Sequence, residues 1–423
     1  MKNALLWIRR AAPLAALTGL LGLGPAPALA LEVDETSLPR IAVEGEFFGT
    51  LDYTQHWAGT ADGAPVGEDR TDFRPNTDDS SVTFTLDKPL YQGSRVGGVV
   101  LQLGLEEEAV VPRASAFFGG PRYRFQFGQM ALRNTLVRFP TIRDDDLLPY
   151  THVLNGSLGL AGSEGHLYGE AVVLDYYFRP APWRLALWSQ ERAQTERDAA
   201  SGDYVAAESA RTNSAGLLLA YDVPEATRYE HRLRRLGVLV DGQRLERRDG
   251  ETATQQAVVV GGVVGLNDYP EFPWELAFQV MQTGGLADRD ASGAPLAAQS
   301  EDELAREAAT AAVLGLHYAH RTNLQTRWRA GLTLAQKSFP DLDRASQWSV
   351  VPSFFKRVGN GVDLVAQAAY TAYAEGLSAI LGRERTLAVQ VGLTLELEGS
   401  FNDTVVDPGS ILELEHGRLF RGF

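Results

Sequence analysis

Apolar and polar residues alternate one by one through most of the chain beyond residue 40. Ile41, Val43, Gly45, Phe47, Gly49, Leu51, Tyr53 and Trp57 fall on one parity, and Ala42, Glu44, Glu46, Thr50, Asp52, Thr54 and His56 mostly fill the other. A period of two puts successive side chains on opposite faces of a strand and excludes an amphipathic helix. The pattern returns at 82–86, 99–105, 122–129, 183–190, 215–221, 231–240 and 255–266. It is clean at Trp274, Leu276, Phe278 and Val280, and again at Leu314–Tyr318 and Trp328–Leu334. Val362 to Tyr370 is a weaker row, and Leu387, Val389, Val391, Leu393, Leu395 and Leu397 make the longest one. Around 167–176 the alternation is blurred and the faces stay unassigned. A last strand is read over Ile411–Phe423, and a short loop helix over Ser300–Ala312, where Ser300 and Glu303 match a capping box.

The breaks between these segments differ in length. Short ones fall at 89–94, 119–121, 179–182, 222–227, 267–273 and 321–323, and longer polar ones at 57–79, 131–165, 192–210, 241–252 and 284–307. Such segregation fits an all-β fold, a transmembrane antiparallel β-barrel with short periplasmic turns and long outer loops. A β-sandwich shares the period but gives no reason to sort its loops this way. The segments number about 16, with 18 as the alternative, because barrels of this kind take even counts. Counting 411–423 makes the number odd, so either a strand is missing in 339–408 or one of the earlier assignments is wrong.

Composition changes the picture at the N-terminus. Lys2, Arg9 and Arg10 precede an apolar run from Ala11 to Gly24, and Ala28-Leu29-Ala30 is a small-x-small site. Residues 1–30 therefore read as a secretory signal peptide, leaving 31–423 as a single barrel domain. The chain of 423 residues has no Cys, which removes disulfides and thiolate metal sites. Its 54 acidic side chains outnumber 39 basic ones, for a net charge of −15, so nucleic acid is not an expected partner. There is no nucleophile elbow, HExxH or phosphate loop, so no catalytic residue, metal site or cofactor is assigned.

The stretch from Arg122 to Gly156 carries the candidate chemistry. Tyr123, Phe125 and Phe127 share one face, and Arg122, Arg124 and Gln126 the other. Aromatics toward lipid put the arginines toward water, whereas the reverse costs roughly 2–4 kcal/mol per Arg near the midplane. Arg327 and Arg329 are placed inward against Trp328 in the same way. These four are candidates for a basic wall in contact with solute; pairing with loop acids is the plainer reading. Arg133, Arg138, Arg143, Asp144, Asp145 and Asp146 lie in 131–165, the candidate constriction loop. Opposed charges in a narrow pore set up a transverse field, and charge at the narrowest section decides ion preference. The sign of that preference stays open.

The signal peptide, the amphipathic strands and the terminal Phe423 together resemble an outer-membrane porin of Gram-negative bacteria. Leu419-Phe420-Arg421-Gly422-Phe423 resembles the C-terminal signal read by the barrel-assembly machinery, with Arg421, Glu413 and Glu415 departing from it. Phe127-Gly128-Gln129 resembles a porin strand end. The resemblance implies a place in the cell outer membrane among lipid and lipopolysaccharide. It also implies a water-filled channel for passive diffusion of small hydrophilic or charged solutes, and a homotrimer. It implies further that 131–165 enters the barrel, with Asp144, Asp145 and Asp146 facing inward arginines. An alginate-export-type barrel, or another selective channel for anionic solutes, is the nearest alternative. A structural or adhesive barrel and an outer-membrane enzyme stand further off.

Overall fold

The computed structural model describes residues 39–61, 64–66, 68–76, 80–90, 95–104, 113–131, 136–137, 139, 168–178, 181–197, 204–223, 229–246, 252–284, 304, 307–322, 325–359 and 361–401. The alternating stretches become strands. They are β1 (Arg40–Ala61), β2 (Ala64–Val66), β3 (Arg70–Asn76), β4 (Ser81–Leu90), β5 (Arg95–Gly104), β6 (Arg113–Gly120), β7 (Tyr123–Ala131), β8 (Tyr168–Tyr177) and β9 (Trp183–Arg197). There follow β10 (Tyr204–Asp222), β11 (Leu233–Glu246), β12 (Thr252–Gly265), β13 (Trp274–Thr283), β14 (Ala309–Thr322), β15 (Gln325–Ser338), β16 (Ser346–Gly359), β17 (Val362–Tyr373) and β18 (Arg383–Phe401). A short helix, α1 (Glu375–Leu381), precedes β18.

Neighbouring strands pair antiparallel around a ring, and β18 closes it against β1 from Ile41↔Phe401 to Ala58↔Arg383. The other edge of β1 carries β4 at Arg40–Glu46, β3 at Thr50–His56 and β2 at Gly59–Ala61. Those three segments lie end to end on one stave, so the ring is a sixteen-stave antiparallel barrel. Closure removes the sheet edges, which is what lets strands cross a bilayer without exposing unpaired backbone groups.

The two ends differ in their longest connections. At one end β4–β5, β6–β7, β8–β9, β14–β15 and β16–β17 are joined within a few residues; we call it the short-turn end. The β7–β8 and β13–β14 connections, the two longest, start from the other end, where α1 also lies; β9–β10, β11–β12 and β15–β16 are joined there within a few residues. The outer face is apolar, with Leu51, Leu86, Val99, Val280, Leu314, Leu334, Leu393 and Leu397 exposed. Outward Trp and Tyr mark the short-turn rim, as in Trp274–Tyr318 at 4.8 Å, Tyr318–Trp328 at 5.0 Å and Trp183–Tyr221 at 5.5 Å. Amphipathic rings at that level suit a membrane–water interface.

One expectation is corrected and the open strand count is resolved. The missing strand is β16, where Pro352 lies mid-strand and the pairing to β17 skips Val351 and Pro352. Proline has no N–H to give that ladder. Adjacent apolar pairs (Val350-Val351, Phe354-Phe355) further blur its alternation. Ala309–Ala312 is the start of β14 and not helix, because pairing with Thr283 to Val280 of β13 overrides a weak local preference. The ring is complete with β18, so its last stave is Arg383–Phe401. The strand read over 411–423 and the signal peptide of residues 1–30 lie outside the described residues.

Candidate channel interior

The inner wall has three zones. Near the short-turn end, inward guanidiniums meet inward carboxylates on neighbouring staves. Asp175 of β8 lies 3.7 Å from Arg124 of β7 and 3.0 Å from Arg184 of β9. Asp222 pairs with Arg235 at 3.0 Å, Asp363 with Arg357 at 3.0 Å, and Asp87 with Arg40 at 3.9 Å. Arg234, inward at a register shift in β11, binds Glu275 of β13. A buried carboxylate left without its guanidinium is strongly destabilising, so these pairs hold the inner wall as units.

A second zone is apolar. Val173 of β8, Trp188 of β9, Leu218 of β10, Leu239 of β11, Val259 of β12, Met281 of β13 and Val313 of β14 all point inward and are buried. Leu136, Val137 and Phe139, from the connection after β7, belong to the same cluster. The Gln279 carboxamide of β13 fixes them: its Oε1 accepts from the backbone N–H of Leu136 at 2.9 Å and of Val137 at 3.1 Å. Gln190 Nε2 donates to the Met130 carbonyl at 3.0 Å, holding the end of β7 to β9. Wall glycines make the room. A Cβ on Gly237 would stand 3.1 Å from Leu136 Cδ2, and one on Gly315 would stand 3.2 Å from Phe139 Cε1. Leu136, Val137 and Phe139 thus lie against the inward faces of β11, β13 and β14.

The third zone, from β16 round to β1, is polar, with amides and hydroxyls beside the inward carboxylates Glu44 and Asp52 of β1. Gln367 Nε2 donates to Gln390 Oε1 at 2.7 Å, and Gln390 Nε2 to Thr50 Oγ1 at 3.3 Å. Ser349 and Thr371 hydroxyls are 2.9 Å apart, as are His56 Nδ1 and Thr386 Oγ1.

The residues singled out in the sequence are dispersed over this interior. Arg122 lies exposed in the β6–β7 turn. Arg124 is buried at Asp175. Arg327 is exposed near the start of β15, and Arg329 is half-buried with its guanidinium 5.1 Å from the Phe355 ring centre. β7 and β15 are eight staves apart in a ring of sixteen, so the structure does not bring the two arginine pairs together. Arg133, Arg138, Arg143, Asp144, Asp145 and Asp146 lie outside the described residues. Gln279, Asp175, Glu275 and Tyr229 were missed. Asp175, Glu275 and Gln279 had a signal, as polar side chains opposite apolar rows; Tyr229, whose ring lies against the guanidiniums of Arg234 and Arg321, had none.

Among the described residues no group of three or more His, Asp or Glu side chains could hold a metal. No family model and no curated protein matches the chain. Solved structures do. An anion-selective porin from Comamonas acidovorans is similar with a TM-score of 0.53 at 12% identity, over 85% of this chain and 100% of that one. The fold is that of the outer-membrane porins. A loop L8 deletion mutant of the Vibrio cholerae outer membrane protein OmpT also has a TM-score of 0.53, at 8% identity over 85% and 100%. For OprB of Pseudomonas putida at high pH the score is 0.51, at 7% identity over 84% and 94%.

Proposed function

We propose that the chain is an outer-membrane channel through which small hydrophilic or charged solutes diffuse passively, narrowed by the segment that follows β7. The observation that carries this is the seating of Leu136, Val137 and Phe139 on the inner wall of a closed sixteen-stave ring. A segment that leaves one stave and binds the wall of others lies across the lumen and reduces its section. In this reading Arg133, Arg138, Arg143, Asp144, Asp145 and Asp146 stand at the narrow section, and Arg122, Arg124, Arg327 and Arg329 contribute to the basic wall. The working partners are outer-membrane lipid, lipopolysaccharide and, during insertion, the barrel-assembly machinery.

A homotrimer is favoured by one further observation. Outward Trp and Tyr mark the short-turn rim on β7–β10 and β13–β15. Among the described residues none does so on β17, β18, β1, β4 or β5, where Ile41, Val43, Leu86, Val99 and Leu397 face out. An aliphatic face without interfacial anchors suits another copy better than headgroups. Swelling of liposomes that carry the purified protein tests the channel reading. Swelling in small sugars and amino acids that slows with solute size supports it, and rates equal to those of empty liposomes overturn it.

A further inference from the structure

On the outer face at the short-turn rim, three polar-tipped side chains interrupt the apolar wall. His320 of β14, Trp328 of β15 and Lys356 of β16 sit on adjacent staves, His320 opposite Trp328 and Trp328 opposite Lys356. They share the outward parity of Leu314, Leu316, Leu332, Leu334 and Phe354, all exposed on the lipid side. The rings at this corner form one continuous apron. Phe272 lies 5.1 Å from His320, and His320 stacks on Trp328 at 5.9 Å. Trp328 in turn lies 5.0 Å from Tyr318 and 6.2 Å from Phe354. Asn267 fixes the turn that carries Phe272. Its Nδ2 donates to the Phe272 carbonyl at 2.8 Å, and its Oδ1 accepts from the Trp274 N–H at 2.9 Å.

Lys356 is the charge in this apron. It is exposed, and among the described residues no carboxylate pairs with it. Its outward neighbours are Trp328 of β15, Leu364 of β17, and Phe354 and Val358 of its own strand. Arg357, the next residue, turns inward to Asp363 at 3.0 Å, so that carboxylate belongs to the inner wall. The acids of the β12–β13 turn lie beyond Phe272, and of these Asp268 is held by Arg232 at 3.2 Å. A lysine among apolar outward side chains lays its methylenes along them and carries its ammonium to the headgroup layer. Barrels of this kind turn their short connections to the periplasm, so the anion at this rim is the phosphate of a glycerophospholipid. The ammonium can pair with phosphate oxygens, and the indole and imidazole N–H groups beside it are further donors. The acyl chains then run up the wall of Leu332 and Leu334. These staves lie outside the aliphatic face of β17 to β5, which leaves them to lipid.

We propose that Lys356, Trp328 and His320 form a headgroup site for one anionic glycerophospholipid, of the phosphatidylglycerol type, on the outer wall at the short-turn end. It stands on the outer face of the barrel alone and is independent of whether the lumen conducts.

Native mass spectrometry of the purified protein in detergent tests it, with phosphatidylglycerol as the probe and phosphatidylcholine of the same chains as competitor. The wild-type protein is expected to retain one phosphatidylglycerol per copy in preference to phosphatidylcholine. Lys356→Gln is expected to weaken that retention roughly fivefold, the worth of one lysine at an anionic headgroup layer. Lys356→Arg keeps the charge and should retain the lipid as wild type does. Lys88→Gln removes the same charge from β4 at the same rim, opposite Gly97 and on the outward parity of Leu86, and should also match wild type. Retention unchanged by Lys356→Gln overturns the site, as does a wild-type protein that retains no lipid. An equal loss in Lys88→Gln overturns it too, since net charge alone would then explain the binding. Phosphatidylcholine held as tightly as phosphatidylglycerol overturns the anionic class.

Discussion

Gln279→Leu isolates the attachment of the segment after β7. One carbonyl oxygen accepts two backbone N–H groups, at 2.9 Å from Leu136 and 3.1 Å from Val137, and both residues are buried. Leucine has similar bulk and no acceptor, so both donors lose their partner inside an apolar cluster. A buried N–H left without an acceptor costs about 1–3 kcal/mol, so the pair loses roughly 2–6 kcal/mol of attachment. The barrel keeps its hydrogen-bonded ladder, because the Gln279 backbone still pairs with Gly261 and Val313. The loss is therefore local: the segment leaves the wall while the ring stays closed. Single-channel recording in planar bilayers reads it directly. Gln279→Leu should open larger and noisier steps than wild type, with the melting temperature in detergent little changed. Gln279→Glu, which retains acceptor oxygens at the same place, should restore quiet steps of wild-type size. Steps of wild-type size and noise in Gln279→Leu would refute the role assigned to this attachment.

Other outcomes follow from the same geometry. Asp175→Asn leaves Arg124 and Arg184 facing a neutral amide, and should lower stability by about 3–5 kcal/mol, read as a fall in melting temperature by circular dichroism in detergent. Arg124→Gln, which leaves the Arg184–Asp175 pair, should cost clearly less. Leu314→Arg on the lipid face of β14 should cost about 2–4 kcal/mol, against about 0–1 kcal/mol for Thr322→Arg at the strand's end, by equilibrium unfolding in lipid. Replacing Arg122, Arg124, Arg327 and Arg329 together by Gln should move the reversal potential across a salt gradient toward cations. An unchanged potential would remove these four from the ion path.

The barrel was legible in the sequence because most staves bury one face and show the other to lipid. Trp274, Leu276, Phe278 and Val280 read outward in the sequence, and each lies on the outer face of β13. The long row from Leu387 to Leu397 is the outer face of the stave that closes the ring. β16 escaped notice for a physical reason: Pro352 interrupts its ladder, and neighbouring apolar residues serve lipid on one side and the lumen on the other. The same two-sidedness hides the faces of β8, where Val173 points in and Val172 and Leu174 point out. The interior was less legible still. Leu136, Val137 and Phe139 look like any apolar residues in a loop, and their anchor is more than a hundred residues away in the chain. Parity set the direction of Arg124 and Arg329, but nothing local showed that Asp175 waits beside one and Phe355 beneath the other. A side chain's facing is decided by its own strand, and its partner by the register of the next.

Conductance of the purified, folded protein in a planar lipid bilayer bears most directly on the central claim. Discrete, ohmic steps that persist at low voltage, in one size class per copy, are expected of a sixteen-stave channel narrowed by a wall-bound segment. A correctly folded protein that inserts and yields no steps above the bare bilayer would contradict it, and would mark the barrel as sealed.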